Sequence, residues 1–131
     1  MISAGSARSI SIREVQRTVA HAFNLTVAQM LSSTRVQPIA SARQIAMYLS
    51  REVAARRSSP VDRDGFLEMP APPSFPRIGI AFARNHSSVM YACRKVRRRL
   101  RDDLAYALLI DRLATDVRAH ATLSPATQEA A

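Results

Sequence analysis

Residues Arg77 to Leu100, RIGIAFARNHSSVMYACRKVRRRL, carry the clearest helical pattern of the chain. Ile78 and Phe82 lie four apart after Pro76, which a first helical turn tolerates because the amide it lacks would be unsatisfied there anyway. Ala83-Arg84 then reads as a turn, and Asn85 as an N-cap whose side-chain oxygen can accept from the amides opening the next helix. Beyond it Val89, Cys93, Val96 and Leu100 recur at i, i+4, i+7 and i+11, an apolar face. Ser87, Tyr91, Arg94 and Arg98 have the same spacing shifted by two positions, which puts them roughly 200° around the cylinder, on the opposite side. The pattern predicts two short helices around a tight turn, the second presenting small polar groups at its start and guanidinium groups further along. That layout suits an element entering a DNA groove tip-first, with short side chains near base edges and cations along the phosphates. Six of the eight residues from Arg94 to Arg101 are basic, and Asp102 and Asp103 lie at i+4 from Arg98 and Arg99 to neutralise part of that charge.

Upstream, three S/T-x-x-E/Q spacings precede apolar periodicities. Ser11 and Glu14 predict a capping box, in which each side chain satisfies the other's amide, ahead of a helix with Ile12, Val15, Val19 and Phe23 on one face. Thr26 and Gln29 predict a second box opening a short helix with Met30 and Leu31. Ser41 to Gln44 predicts a third, after a loop over 32–40, before a helix with Ile45, Leu49 and Val53 facing inward. The stretch 58–76 then holds Pro60, Pro70, Pro72, Pro73 and Pro76 and no helical period, so it reads as a long, partly extended insertion. A last helix over 102–119 shows Leu104, Leu108, Leu109, Leu113 and Val117 as a broad apolar stripe. The expected organisation is all-α: a flexible N-terminus over 1–10, one helical domain over 11–120 that includes the loop, and a flexible tail over 121–131.

Composition narrows the partners. The chain has 131 residues, a net charge of +9 and a pI near 11.3. Such a charge selects polyanions, with nucleic acid ahead of an acidic membrane surface or an acidic protein. Eighteen of the nineteen basic residues are Arg, whose planar fork suits phosphate and guanine, although a GC-rich genome would produce the same bias. Aromatic residues are only 5% of the chain and Trp is absent, which argues against a stacking platform for single strands. One cysteine, Cys93, excludes an intramolecular disulfide and a Cys-rich zinc module. The first fifteen residues lack the apolar core of a signal peptide, and no apolar run approaches the ~18 residues of a membrane span. A cytoplasmic, nucleoid-associated protein is expected.

The residues also resemble a known family. Ile78-Gly79-x-x-Phe82, Arg84-Asn85-His86-Ser87-Ser88-Val89 and Ala92-Cys93-Arg94-Lys95 are similar to the signature of the C-terminal domain of the bacterial chromosomal replication initiator DnaA. Ile12-x-x-Val15-Gln16-x-Thr18-Val19-Ala20, Val27-Ala28-x-x-Leu31-Ser32 and Ala42-Arg43-Gln44-Ile45-Ala46-Met47 agree with it in order and spacing. The resemblance implies an all-helical helix-turn-helix fold, Trp-repressor-like in its binding element, that recognises short duplex sites. It implies Arg35 in a minor groove, with Asn85, His86 and Ser87 against bases. Arg43, Gln44, Ser88 and Lys95 would hold phosphates, joined by the exposed arginines Arg94 and Arg98.

Three departures predict an altered preference. Asn85 stands where the family has Asp, Ser87 and Ser88 replace two Thr, and a single Ala83 replaces Gly-Gly in the turn. The Pro-rich stretch also lengthens a link that the family keeps short. No G-x-x-x-x-G-K-[ST] loop occurs, so no nucleotide, cofactor or enzymatic activity is expected of a stand-alone chain. The expected function is sequence-specific binding to double-stranded DNA at a DnaA-box-like site, in regulation of replication initiation or transcription. The alternative is a protein-interaction module using the last helix or the 58–76 loop, with only non-specific DNA affinity.

Overall fold

The computed structural model describes residues 10–54 and 72–122. They form six helices: α1 (Ile12–Ala22), α2 (Val27–Leu31), α3 (Ile39–Glu52), α4 (Phe75–Phe82), α5 (His86–Asp102) and α6 (Leu104–Thr122). No strand occurs among the described residues, in agreement with the all-α expectation. Residues 1–9, 55–71, which include most of the Pro-rich stretch, and 123–131 lie outside them, and with them the expectations of a flexible N-terminus, loop and tail.

Two of the three expected capping boxes form. Ser11 Oγ accepts from the Glu14 amide at 3.1 Å while Glu14 Oε1 accepts from the Ser11 amide at 2.8 Å. Thr26 and Gln29 repeat the exchange at 3.0 and 2.8 Å. The third box does not form, because α3 begins at Ile39 with Pro38 as its cap residue, so Ser41 already lies inside the helix. Its amide donates to Gln37 Oε1 at 3.1 Å, and its hydroxyl donates to the same oxygen. The orphan amide is thus satisfied by a side chain upstream of the helix.

α3 is the central element, packing on α1, α2, α4 and α5, while α6 closes the domain against α1 and α5. Val15, Val19, Met30, Ile45, Leu49, Ile78, Phe82, Val89 and Val96 are fully buried between these helices. Each such side chain contributes roughly 1.5–3 kcal/mol relative to exposure. One polar tie runs through this packing: the buried Gln16 donates Nε2–H to the Ala81 carbonyl at 3.0 Å, fixing α1 to the end of α4.

The last helix meets its expectation in part, since Leu113 and Val117 of the expected stripe are buried and its leucines nearer the start are not. Its buried face is Tyr106, Ile110, Leu113, Ala114 and Val117, whereas Leu104, Leu108 and Leu109 are 75, 62 and 38% exposed. The cause lies at the junction. Asp103 is extended (φ −132°, ψ 100°) and its carboxylate accepts from the Tyr106 amide at 3.0 Å, so α6 starts afresh at Leu104 on a new heading. Arg99 reinforces that heading, with its guanidinium 4.1 Å over the Tyr106 ring and its Nε 3.3 Å from Asp103.

The chain returns from the Pro-rich stretch at a defined point. Ser74 caps α4 by accepting from the Arg77 amide at 3.2 Å, which makes Phe75 the first helical residue and Pro76 the second. Arg51 of α3 donates to the Pro73 carbonyl at 2.9 Å and lies 4.5 Å over the Phe75 ring.

Candidate nucleic-acid interface

The turn between α4 and α5 sets the site. Ala83 ends α4 in the left-handed region (φ 56°, ψ 42°), and its neighbour Arg84 closes the turn with an amide 2.8 Å from the Gly79 carbonyl. Asn85 then caps α5, accepting from the Ser88 amide through Oδ1 at 2.9 Å. That bond engages one of the two lone pairs of Oδ1, and the side-chain NH2 remains as a donor able to face outward. The two opposed stripes of α5 are as expected: Val89, Cys93 and Val96 are buried, with Ala92 beside them, and Ser87, Tyr91, Arg94 and Arg98 are exposed.

A groove of about 930 Å³ runs between the 32–38 loop, α3 and the first half of α5. It is lined by Arg35, Arg43, Gln44, Asn85, Ser87, Ser88 and Lys95, residues drawn from three separate stretches of the sequence. Tyr91 and Arg84 also line it. His86, Arg94 and Arg98 do not line it; they stand exposed elsewhere on α5. Arg97 and Arg99 are held by Glu52 and Asp103 at 2.9 and 3.3 Å. Both are solvent-exposed pairs of small energetic value that part readily for a stronger anion.

Arg43 departs from the expected phosphate ligand. It is only 6% exposed, and its guanidinium points at backbone: Nε donates to the Met30 carbonyl at 2.9 Å, and Nη2 to the Ser32 and Thr34 carbonyls at 2.7 and 2.8 Å. Burial, and then the charge of Arg84, lower its pKa from the usual guanidinium value. An Arg in the A-R-Q-I pattern looks like a surface cation in sequence, but here it props the 30–34 segment from beneath. Arg84 reads in sequence as a turn residue and not as a site candidate. Its Nη2 donates to the same Ser32 carbonyl at 2.7 Å and its Nη1 to the Phe82 carbonyl at 3.1 Å. The only local hint is a basic side chain placed directly before the cap residue.

Cys93 lies under α5 on the apolar side, and burial pushes its thiol up from the ordinary value, as expected of a small hydrophobe. Among the described residues no group of His, Cys, Asp or Glu could hold a metal ion, and no helix is long and apolar enough to cross a membrane.

Residues 12–61 match the family model described as the bacterial dnaA protein helix-turn-helix. The chain is 34% identical over 97 residues to the chromosomal replication initiator protein DnaA of Rhizobium meliloti, a match covering 73% of this chain and 17% of that protein. Identity to the protein of the same name from Herminiimonas arsenicoxydans is 39% over 90 residues, covering 68% of this chain and 16% of the relative. For the Wolbachia pipientis protein it is 34% over 107 residues, covering 81% and 20%. The chain therefore spans no more than about a fifth of the length of these relatives.

Proposed function

We propose that this chain, whose residues 12–61 match the bacterial dnaA protein helix-turn-helix, reads double-stranded DNA at a short, DnaA-box-like site. The observation that carries the proposal is the convergence of Arg35, Gln44, Asn85, Ser87, Ser88 and Lys95 on one groove. Arg35 on its loop enters a minor groove, while Asn85, His86 and Ser87 at the tip of α5 address base edges in the adjacent major groove. Gln44, Ser88, Lys95, Arg94 and Arg98 hold phosphates on either side. Arg43 joins that set through the loop it supports, since most of its donors are already spent on carbonyls. An Asn at the cap position offers a donor where a carboxylate offers only acceptors, so the preferred site differs from one read by Asp. A protein of this kind acts at replication origins or promoters, as a regulator of initiation or transcription.

A titration of labelled duplex by fluorescence anisotropy, repeated over a salt series, tests this. Three cations on phosphates give a log–log slope of about −2.7 or steeper. Absence of binding at low salt, or a slope near zero, sinks the proposal. The exposure of Leu104 and Leu108 on α6 favours a second reading, a protein-interaction module with non-specific DNA affinity. In that case selection from random duplexes enriches no sequence.

A further inference from the structure

The Ser32 carbonyl oxygen accepts from two guanidinium groups, Nη2 of Arg43 and Nη2 of Arg84, each at 2.7 Å. Arg43 comes from α3, 11 residues along the chain from Ser32, and Arg84 from the turn before α5, 52 residues away. Like charges brought to one acceptor repel, and after burial, the larger cause, the charge of Arg84 further lowers the pKa of Arg43. The arrangement persists because every donor that faces inward meets a carbonyl: Met30, Ser32 and Thr34 for Arg43, Ser32 and Phe82 for Arg84. Charge-assisted bonds to such dipoles are roughly twice as strong as neutral ones.

The placement of this joint matters. Ser32 lies three residues before Arg35, so the joint is within ~10 Å of that residue's backbone. Arg84 directly precedes Asn85, the cap of α5. Accepting the DNA-reading proposal above, on which this rests, we infer that Arg84 is a positioning residue: with Arg43 it clamps the Arg35 loop to the tip of α5, setting the register between the minor-groove and major-groove readers. A guanidinium suits the task because its rigid fork reaches Ser32 and Phe82 together, whereas the ammonium of lysine is a point charge on a flexible stem.

Arg84→Lys keeps the charge and removes the fork, so it carries the test; Arg43 is too deeply buried for its variants to be a safe probe of anything but folding. In the free protein, exchange of the Ser32 and Val36 amides, which donate to the Gln29 carbonyl at 3.2 Å and the Thr34 hydroxyl at 3.1 Å, should quicken about tenfold in Arg84→Lys, as expected from one lost charge-assisted bond, with the core amides unchanged. Unchanged loop exchange overturns the clamp whether or not DNA binds. Selection from random duplexes is then run on wild type, Arg84→Lys, Arg35→Ala and the double variant. Arg84→Lys should lose the base preferences that Arg35→Ala loses and keep those of the α5 tip, and the double variant should bind no more weakly than Arg35→Ala alone. Weakening of all duplexes alike, with preferences intact, marks a phosphate contact and overturns the positioning role, as does an additive double variant. A wild-type chain that selects no duplex overturns the DNA reading and the register with it, while the exchange result still decides the clamp.

Discussion

Gly79 and Arg84 approach each other across the turn of the helix-turn-helix: the Arg84 amide donates to the Gly79 carbonyl at 2.8 Å, and a Cβ on Gly79 would stand 2.5 Å from the Arg84 carbonyl oxygen. The obstacle is backbone, which cannot swing aside as a flexible side chain would. Gly79→Ala gains about 1 kcal/mol of helix propensity but incurs an overpacking cost of about 1–3 kcal/mol, plus the loss of turn geometry. A net destabilisation of about 1–2 kcal/mol is expected, read as a lower urea midpoint at unchanged m. An unchanged midpoint would show that the turn relaxes without cost.

Ala83 is the complementary case. A left-handed conformation strains a residue with a Cβ by roughly 1–2 kcal/mol, and glycine relieves that strain at some cost in unfolded-state entropy. Ala83→Gly should therefore raise stability by about 0.5–1 kcal/mol, a rise in Tm of several degrees for a domain of this size. A fall in Tm would mean that the Ala methyl contributes packing that outweighs the strain.

Asn85→Asp separates reading from folding. Aspartate caps as well as asparagine and its charge favours a helix N-terminus, so thermal stability should hold or rise slightly. If the Asn85 amide reads a base, preference at one position of the selected duplex should change by about 1–3 kcal/mol. Identical selected sequences would remove Asn85 from the reading set.

Arg98→Ala should behave differently, because Arg98 stands exposed on α5, away from the groove. It is expected to weaken all duplexes alike and to make the salt slope shallower by about 0.9. A change of sequence preference would place it against a base instead.

Alkaline pH should destabilise the domain. Burial raises the thiol of Cys93 above 9.0 and the phenols of Tyr48 and Tyr106 above 10.0, their ordinary values. The unfolded chain therefore loses these protons first, and the stability they confer is full below about pH 8 and declines as pH rises towards the raised native values. Urea midpoints at pH 7.5, 9 and 10.5 should fall in that order. A flat profile would mean that these groups titrate alike in both states.

Much of this was legible in the residues themselves. The caps at Ser11, Thr26 and Asn85, the opposed stripes of α5 and the two-helix turn all depend on neighbours within about four positions, and each is where the pattern put it. Family-like order and spacing also placed Arg35, Gln44, Ser87 and Lys95 among the site candidates, and the fold brings those four to one groove.

Where local signals were ambiguous, only the packed structure chose. Ser41 had the spacing of a cap, but Gln37 and Pro38 let α3 begin earlier. The leucines of α6 read as one broad apolar stripe, and the break at Asp103 kept Leu113 and Val117 inward but turned Tyr106 and Ile110 in place of Leu104 and Leu108. Arg43 and Arg84 read as two more cations in a basic chain until the Ser32 carbonyl, distant in sequence, drew them together. The sequence by itself determined the helices and the turn, because hydrogen bonds and caps within a helix are local. The tertiary structure decided which apolar face is buried and which arginines turn inward, because those outcomes depend on carbonyls and side chains that only folding brings near.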